Sequence, residues 1–98
     1  MSLFNLLSIS SGLPEAWQST VLGQVGPARI KVLRMNEMSY EEEVHDYNEG
    51  LLVLSGRMLL AVAGETVTVS AGELYLAEAG VAHAVLPGSD GCLVIVDV

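Results

Sequence analysis

Glu43-Val44-His45-Asp46-Tyr47-Asn48-Glu49, running on through Gly50-Leu51-Leu52-Val53-Leu54-Ser55 to Gly56, is the stretch that decides the fold. It begins polar and passes into a continuous apolar run that stops at a glycine, as expected of a strand that leaves a rim and enters a core. Its counterpart lies downstream, from Gly72 through Gly80 to His83. The chain has 2 histidines in 98 residues, and each falls in one of these segments, beside carboxylates or turn glycines. Distant strands that bring His45, Glu49 and His83 together inside a small barrel would produce this pattern.

The flanking sequence reads as short strands. Residues 19–24 and 29–35 are strand candidates separated by the Gly26-Pro27 turn. In the second, Ile30, Val32 and Arg34 share one face and Arg29, Lys31 and Leu33 the other, the alternation of a half-buried strand. Further candidates cover 51–54, 57–63, 66–70, 74–77, 82–86 and 92–98, with breaks at Ser55-Gly56, Gly64-Glu65, Ala71-Gly72, Gly80 and residues 87–91. Residues 35–47 are expected to form a long loop containing a brief strand. Residues 3–9 are expected to make one short helical turn, with Asn5, Ser8 and Ser10 as cap-like residues and Gly12-Leu13-Pro14 as the stop. Eight or nine strands with glycine turns at this frequency predict an all-β sandwich or barrel.

Strand parity sharpens the site. Glu43, His45, Glu49, Leu51 and Val53 all occupy odd positions, so an extended backbone puts them on one face, and the apolar pair marks that face as interior. A loop between Asp46 and Asn48 would break the parity. His83 shares its face with Val81 and Val85.

Composition narrows the function classes. The length fits one domain, residues 1–98, and 51% of the residues are hydrophobic, enough for a core. The formal charge is −8, with only Arg29, Lys31, Arg34 and Arg57 positive, which argues against nucleic acid and anionic membranes as partners. No apolar run approaches the roughly 20 residues of a membrane span. The first residues lack a basic segment followed by a long apolar one, so the expected location is the cytoplasm. Cys92, the single cysteine, is expected to be a small buried residue in the last strand. Glu41, Glu42, Glu43, Asp46 and Glu49 lie within nine residues; Glu41, Glu42 and Asp46 are expected to be solvated. Tyr40, Tyr47 and Tyr75 are either ligand contacts or structural rim residues, and Trp17 seals a core edge or a subunit contact.

The two segments resemble the paired motifs of the cupin superfamily. His45, Glu49 and Gly56 match the second histidine, the glutamate and the closing glycine of the first motif; Gly72, Gly80 and His83 match the second. The likeness covers about residues 40–88. It departs where the first histidine is Glu43, the proline is Glu78 and the asparagine is Pro87; the opening glycine is also missing, with Glu37 and Ser39 in its region.

This resemblance implies a double-stranded β-helix, the jelly-roll barrel of cupins. It also implies a metal-ligand set of Glu43, His45, Glu49 and His83, with Glu43 replacing an imidazole. Such donors suit a divalent ion: Fe(II), Mn(II), Zn(II) or Ni(II). The functional expectation is a small-molecule-binding barrel, as an enzyme of dioxygenase or isomerase type or as a binding protein. The alternatives are a metal-free sensor or binding module, in which His45 and His83 are hydrogen-bonded core-edge residues, and a protein-interaction domain. A homodimer is expected, because outer apolar positions such as Leu59 require cover.

Overall fold

The computed structural model describes residues 2–38 and 40–98. Ser39 and Met1 lie outside them, as does the side chain of Tyr40. The described chain has helix α1 (Leu6–Gly12) followed by strands β1 (Thr20–Val25), β2 (Ala28–Met35), β3 (Tyr40–Glu43), β4 (Glu49–Val62), β5 (Glu65–Ser70), β6 (Leu74–Ala77), β7 (His83–Val85) and β8 (Asp90–Asp97). The all-β expectation holds. No helix among the described residues is long and apolar enough to cross a membrane.

The helix begins later than the sequence suggested. Asn5 is its N-cap, and the Asn5 side chain accepts from the Ser8 backbone N–H at 3.1 Å. That bond satisfies one of the donors that every helix start leaves open. The expected stop is present: Leu13 caps the helix through its N–H to the Ser10 carbonyl.

All strand pairings are antiparallel and form one curled sheet, in the order β1-β2-β8-β4-β7-β3, with β5 and β6 also paired to β4. Strand β4 is the hub. Its first half lies between β6 and β8, and its second half between β5 and β7. The sequence reading split this strand at Ser55-Gly56. The structure instead carries it through a bulge, where the β4–β8 register slips between Val53 and Ser55. One extra residue reverses the parity. Leu51 and Val53 point into the core before the bulge, and Met58 and Leu60 after it.

The bulge depends on two glycines. Gly56 (φ +74°) and Gly91 (φ +109°) are cross-strand partners. A Cβ on Gly56 would lie 1.9 Å from the Asp90 carbonyl oxygen, and one on Gly91 would lie 2.0 Å from that of Ser55. Both backbones therefore approach where no side chain fits.

Two apolar layers result. Inside the curl, Leu33, Met35, Leu51, Val53, Met58, Leu60, Val69, Ala77, Leu93 and Ile95 form the main core. On the outside, α1 lays Leu6 and Ile9 over Val32, Cys92 and Val94. This corrects the half-buried reading of β2: the short helix covers the Ile30 and Val32 face, and the face of Lys31 and Leu33 turns to the interior instead of to water. Cys92 is buried, as expected. Leu59 is a second correction: it is half-buried, and its backbone N–H bonds the Ser89 hydroxyl at 3.0 Å while its carbonyl accepts from Leu86 N–H at 2.8 Å. The turn over residues 86–89 covers it, so the dimer expectation cannot rest on Leu59.

The bulge predicts a contrast between two glycines. Gly56→Ala is expected to lower stability in urea denaturation by at least about 2 kcal/mol through backbone collision. Gly64 also has positive φ (+81°) but open space around it. Gly64→Ala is expected to cost only about 1 kcal/mol, the backbone strain alone.

Candidate metal centre

The structure brings together the four residues that the sequence named as a ligand set. One ligating atom from each of Glu43, His45, Glu49 and His83 lies within 4.8 Å of all the others. They arrive from separate places: Glu43 ends β3, His45 lies in the following loop, Glu49 opens β4 and His83 opens β7. The predicted loop at Asp46–Asn48 interrupts the strand. Convergence therefore comes from tertiary pairing and not from one extended face.

Two contacts hold the loop. The Gly80 N–H donates to the His45 carbonyl at 2.8 Å, and the Ala79 N–H to the Asn48 side-chain oxygen at 2.8 Å. Each bond joins the first motif to the second. Glu43 and His83 are also cross-strand partners in the β3–β7 ladder. Tyr47 stacks on His45 with ring centroids 4.8 Å apart and 17° between planes, which fixes the imidazole from its open side.

Within the cluster, His45 Nε2 lies 3.3 Å from Glu43 Oε2 and 4.0 Å from Glu49 Oε1, and His83 Nε2 lies 3.6 Å from the same Glu49 oxygen. Glu43 thus faces the imidazoles. Glu41, Glu42 and Asp46 are exposed, as expected of a solvated acidic segment. Glu49 is buried, and that burial raises its pKa above the usual carboxylate range; Glu43 adds to the rise, and the two histidines oppose it. His83 is buried too, and its Nδ1 has no hydrogen-bond partner.

These features fit a divalent ion. Ligand atoms bonded at about 2.0–2.2 Å to one ion sit roughly 3–4 Å apart; the separations of 3.3, 3.6 and 4.0 Å fall in that range, and the full set, within 4.8 Å, would close slightly around an ion. A buried carboxylate carries a desolvation cost that a cation between Glu49 Oε1 and His83 Nε2 would offset. Two imidazoles and two carboxylates form a borderline-to-hard donor set.

A cavity of about 210 Å³ opens beside the cluster, lined by Glu43, Glu49 and His83 at its polar end. Its floor is apolar, with Leu33, Leu51, Met58 and Leu60 among the lining residues. Trp17 lines it and packs on the core, its indole N–H bonded to the Asn36 side chain at 2.8 Å. That agrees with the core-edge reading of Trp17.

One group escaped sequence reasoning. Asp97 is buried, with Lys31 Nζ 2.6 Å from Oδ2 and Arg29 3.2 Å from Oδ1. Arg29 and Asp97 are cross-strand partners, and Lys31 lines the cavity. Burial first, and then the charges of Asp97 and Glu49, raise the Tyr47 pKa; Lys31 and Glu49 line the same cavity. A signal existed: Lys31 shares parity with Leu33, and Asp97 sits two positions from Ile95 in a run from Cys92 to Val98 that is otherwise apolar.

The sequence matches the family model for the Cupin domain over residues 31–98. Among solved structures, a cupin-2 domain containing protein from Shewanella frigidimarina superposes with a TM-score of 0.89 at 21% identity, over 98% of this chain and 94% of that one. A Neisseria meningitidis protein gives 0.82 at 21% identity, over 96% of both chains. A Rhizobium leguminosarum protein of unknown function gives 0.74 at 25% identity, over 98% and 93%. These likenesses show the fold. Among curated proteins no match was found.

The environment of Glu49 predicts opposite effects of one substitution. In protein stripped with chelator, Glu49→Gln removes a poorly solvated charge and is expected to raise the urea midpoint. In the same variant, calorimetric titration with Zn(II) is expected to show affinity at least about tenfold below that of the unmodified chain.

Proposed function

The chain belongs to the cupin-domain family, and from that membership and the geometry of its His/Glu cluster we propose a barrel that binds a small molecule through a divalent ion. The observation that carries this reading is the convergence of four ligating atoms, from two strand starts, a strand end and a loop, within 4.8 Å. The ion would be Fe(II), Mn(II), Zn(II) or Ni(II), held by His45, His83, Glu49 and Glu43. When bound, it supplies a Lewis acid with positions open to an oxygen-bearing ligand.

The chain's own residues set the remaining conditions. The apolar floor excludes water from the inner end of the cavity, which strengthens polar interactions at its mouth. Tyr47 orients the His45 ring. Glu49, buried with Oε1 toward both imidazoles, would hold the ion through that oxygen, which leaves its other oxygen as the candidate to hold or move a proton. Glu43 is more exposed, with 39% of its side-chain surface open, and is the carboxylate able to move away and admit a ligand.

Metal titration of three variants tests the reading. His83→Ala is expected to abolish binding. Glu43→Ala is expected to weaken it by about tenfold while retaining uptake, and Glu43→His to raise affinity for Ni(II) and Zn(II). Absence of uptake by the unmodified protein from excess Fe(II), Mn(II), Zn(II) and Ni(II) would leave a metal-free binding module as the function.

A second copy of the chain is the partner we propose for the outer sheet face. Register places Leu74 and Leu76 of β6 beside Leu52 and Gly50 of β4, and Gly50 beside Val96 of β8, next to Ile30 of β2. None carries a charge, and Leu74, Leu76 and Val96 are exposed. In a chain of net charge −8, this face lets two copies meet without apposing like charges. Sedimentation is expected to give a dimer at micromolar concentration and a monomer for Leu76→Glu; a monomeric unmodified protein would exclude the interface.

A further inference from the structure

We propose that Lys31 makes the cavity selective for a small carboxylate, an inference that rests on the metal-binding reading above. Lysine is seldom buried without a partner, and the Lys31 side chain is only 15% exposed. Its partner Asp97 is already occupied: Arg29 reaches Oδ1 through both Nε and a terminal nitrogen at 3.2 Å, while Lys31 takes Oδ2 at 2.6 Å. Two cations therefore converge on one buried carboxylate. Arg29 alone would neutralise it. Lys31 brings a surplus positive charge, with N–H groups beyond the one aimed at Asp97, to the wall of an apolar cavity.

Among the described residues that line this cavity, Lys31 is the only cation. The lining also holds Glu41, Glu43 and Glu49. These carboxylates repel an anion until a divalent charge offsets them. Lys31 is then the fixed donor that an entering anion meets, so anion binding is conditional on the ion. Size limits the ligand further. About 210 Å³ lies below the roughly 300–1,000 Å³ of drug-sized pockets. That space suits a short-chain acid whose apolar part rests on Leu51, Met58 and Leu60, and it is too small for a nucleotide. A single ammonium matches a singly charged carboxylate. A phosphate, with more charge and more acceptor oxygens, is better served by several donors or a backbone nest.

The test is calorimetric titration of the full chain, metal-free and loaded with Ni(II), using 2-oxobutyrate, the uncharged 2-oxobutyramide and inorganic phosphate as probes. Lys31→Met removes the ammonium; Lys31→Gln removes the charge but keeps a donor for Asp97, which guards against a folding defect. 2-Oxobutyrate is expected to bind the loaded protein and not the metal-free one. Both variants are expected to weaken it by about tenfold or more, while Ni(II) affinity is unchanged or tighter and the amide binds the loaded unmodified protein and both loaded variants equally weakly. Normal Ni(II) uptake with unchanged 2-oxobutyrate affinity in both variants would overturn this inference alone. Tighter binding of phosphate than of 2-oxobutyrate would overturn the carboxylate assignment. Failure of the unmodified chain to take up Ni(II) would overturn the metal-binding reading and this one with it.

Discussion

The close passage of Gly56 against Gly91 is the constraint on which the rest of the structure depends. Strand β4 runs from Glu49 to Val62 and must serve two sets of neighbours. A regular strand of that length would keep one parity and turn half its apolar residues to water. The bulge lets it change parity midway, so Leu51 and Val53 meet the same interior as Met58 and Leu60. The curl follows, and with it the approach of β3 and β7 to the mouth near the start of β4. A side chain at either glycine would separate β4 from β8 at the point where the sheet bends.

The polar mouth is built on that curl by short-range means. Backbone bonds tie the His45 loop to the turn that precedes His83, and the β3–β7 ladder pairs Glu43 with His83. Neither tie uses the chemistry of a ligating side chain. The loop position is therefore independent of what the cluster holds. Electrostatics divides the same mouth in two. One side concentrates carboxylates around two imidazoles, and the other places two cations on Asp97.

Most of this architecture was legible in the sequence because strands announce themselves locally, through alternation and turn glycines. The spacing of His45, Glu49, Gly56, Gly80 and His83 identified the fold family and the residues that converge. The sequence did not reveal that β4 is continuous, because Ser55-Gly56 looks the same in a turn and in a bulge; only the β4–β8 pairing distinguishes them. It did not reveal the covering of Leu59, which depends on the 86–89 turn folding back. Parity reasoning reached the right face for Glu43 and His45 although the backbone between them and Glu49 is not extended. The Lys31–Asp97 pair went unread because 66 positions separate its members, and an isolated charge in a strand looks like a solvent-facing residue.

Trp17 has a use of another kind. It is the only tryptophan in the chain, it lines the cavity, and its indole is anchored on Asn36. Indole emission responds to the polarity and quenching groups within a few ångströms, so nearly all the intrinsic fluorescence of this protein originates at the wall of its cavity. The molecule carries its own optical probe of occupancy. Ligand libraries can be screened against the unlabelled chain by emission alone, and a paramagnetic ion such as Mn(II) or Ni(II) entering the barrel would be visible as quenching.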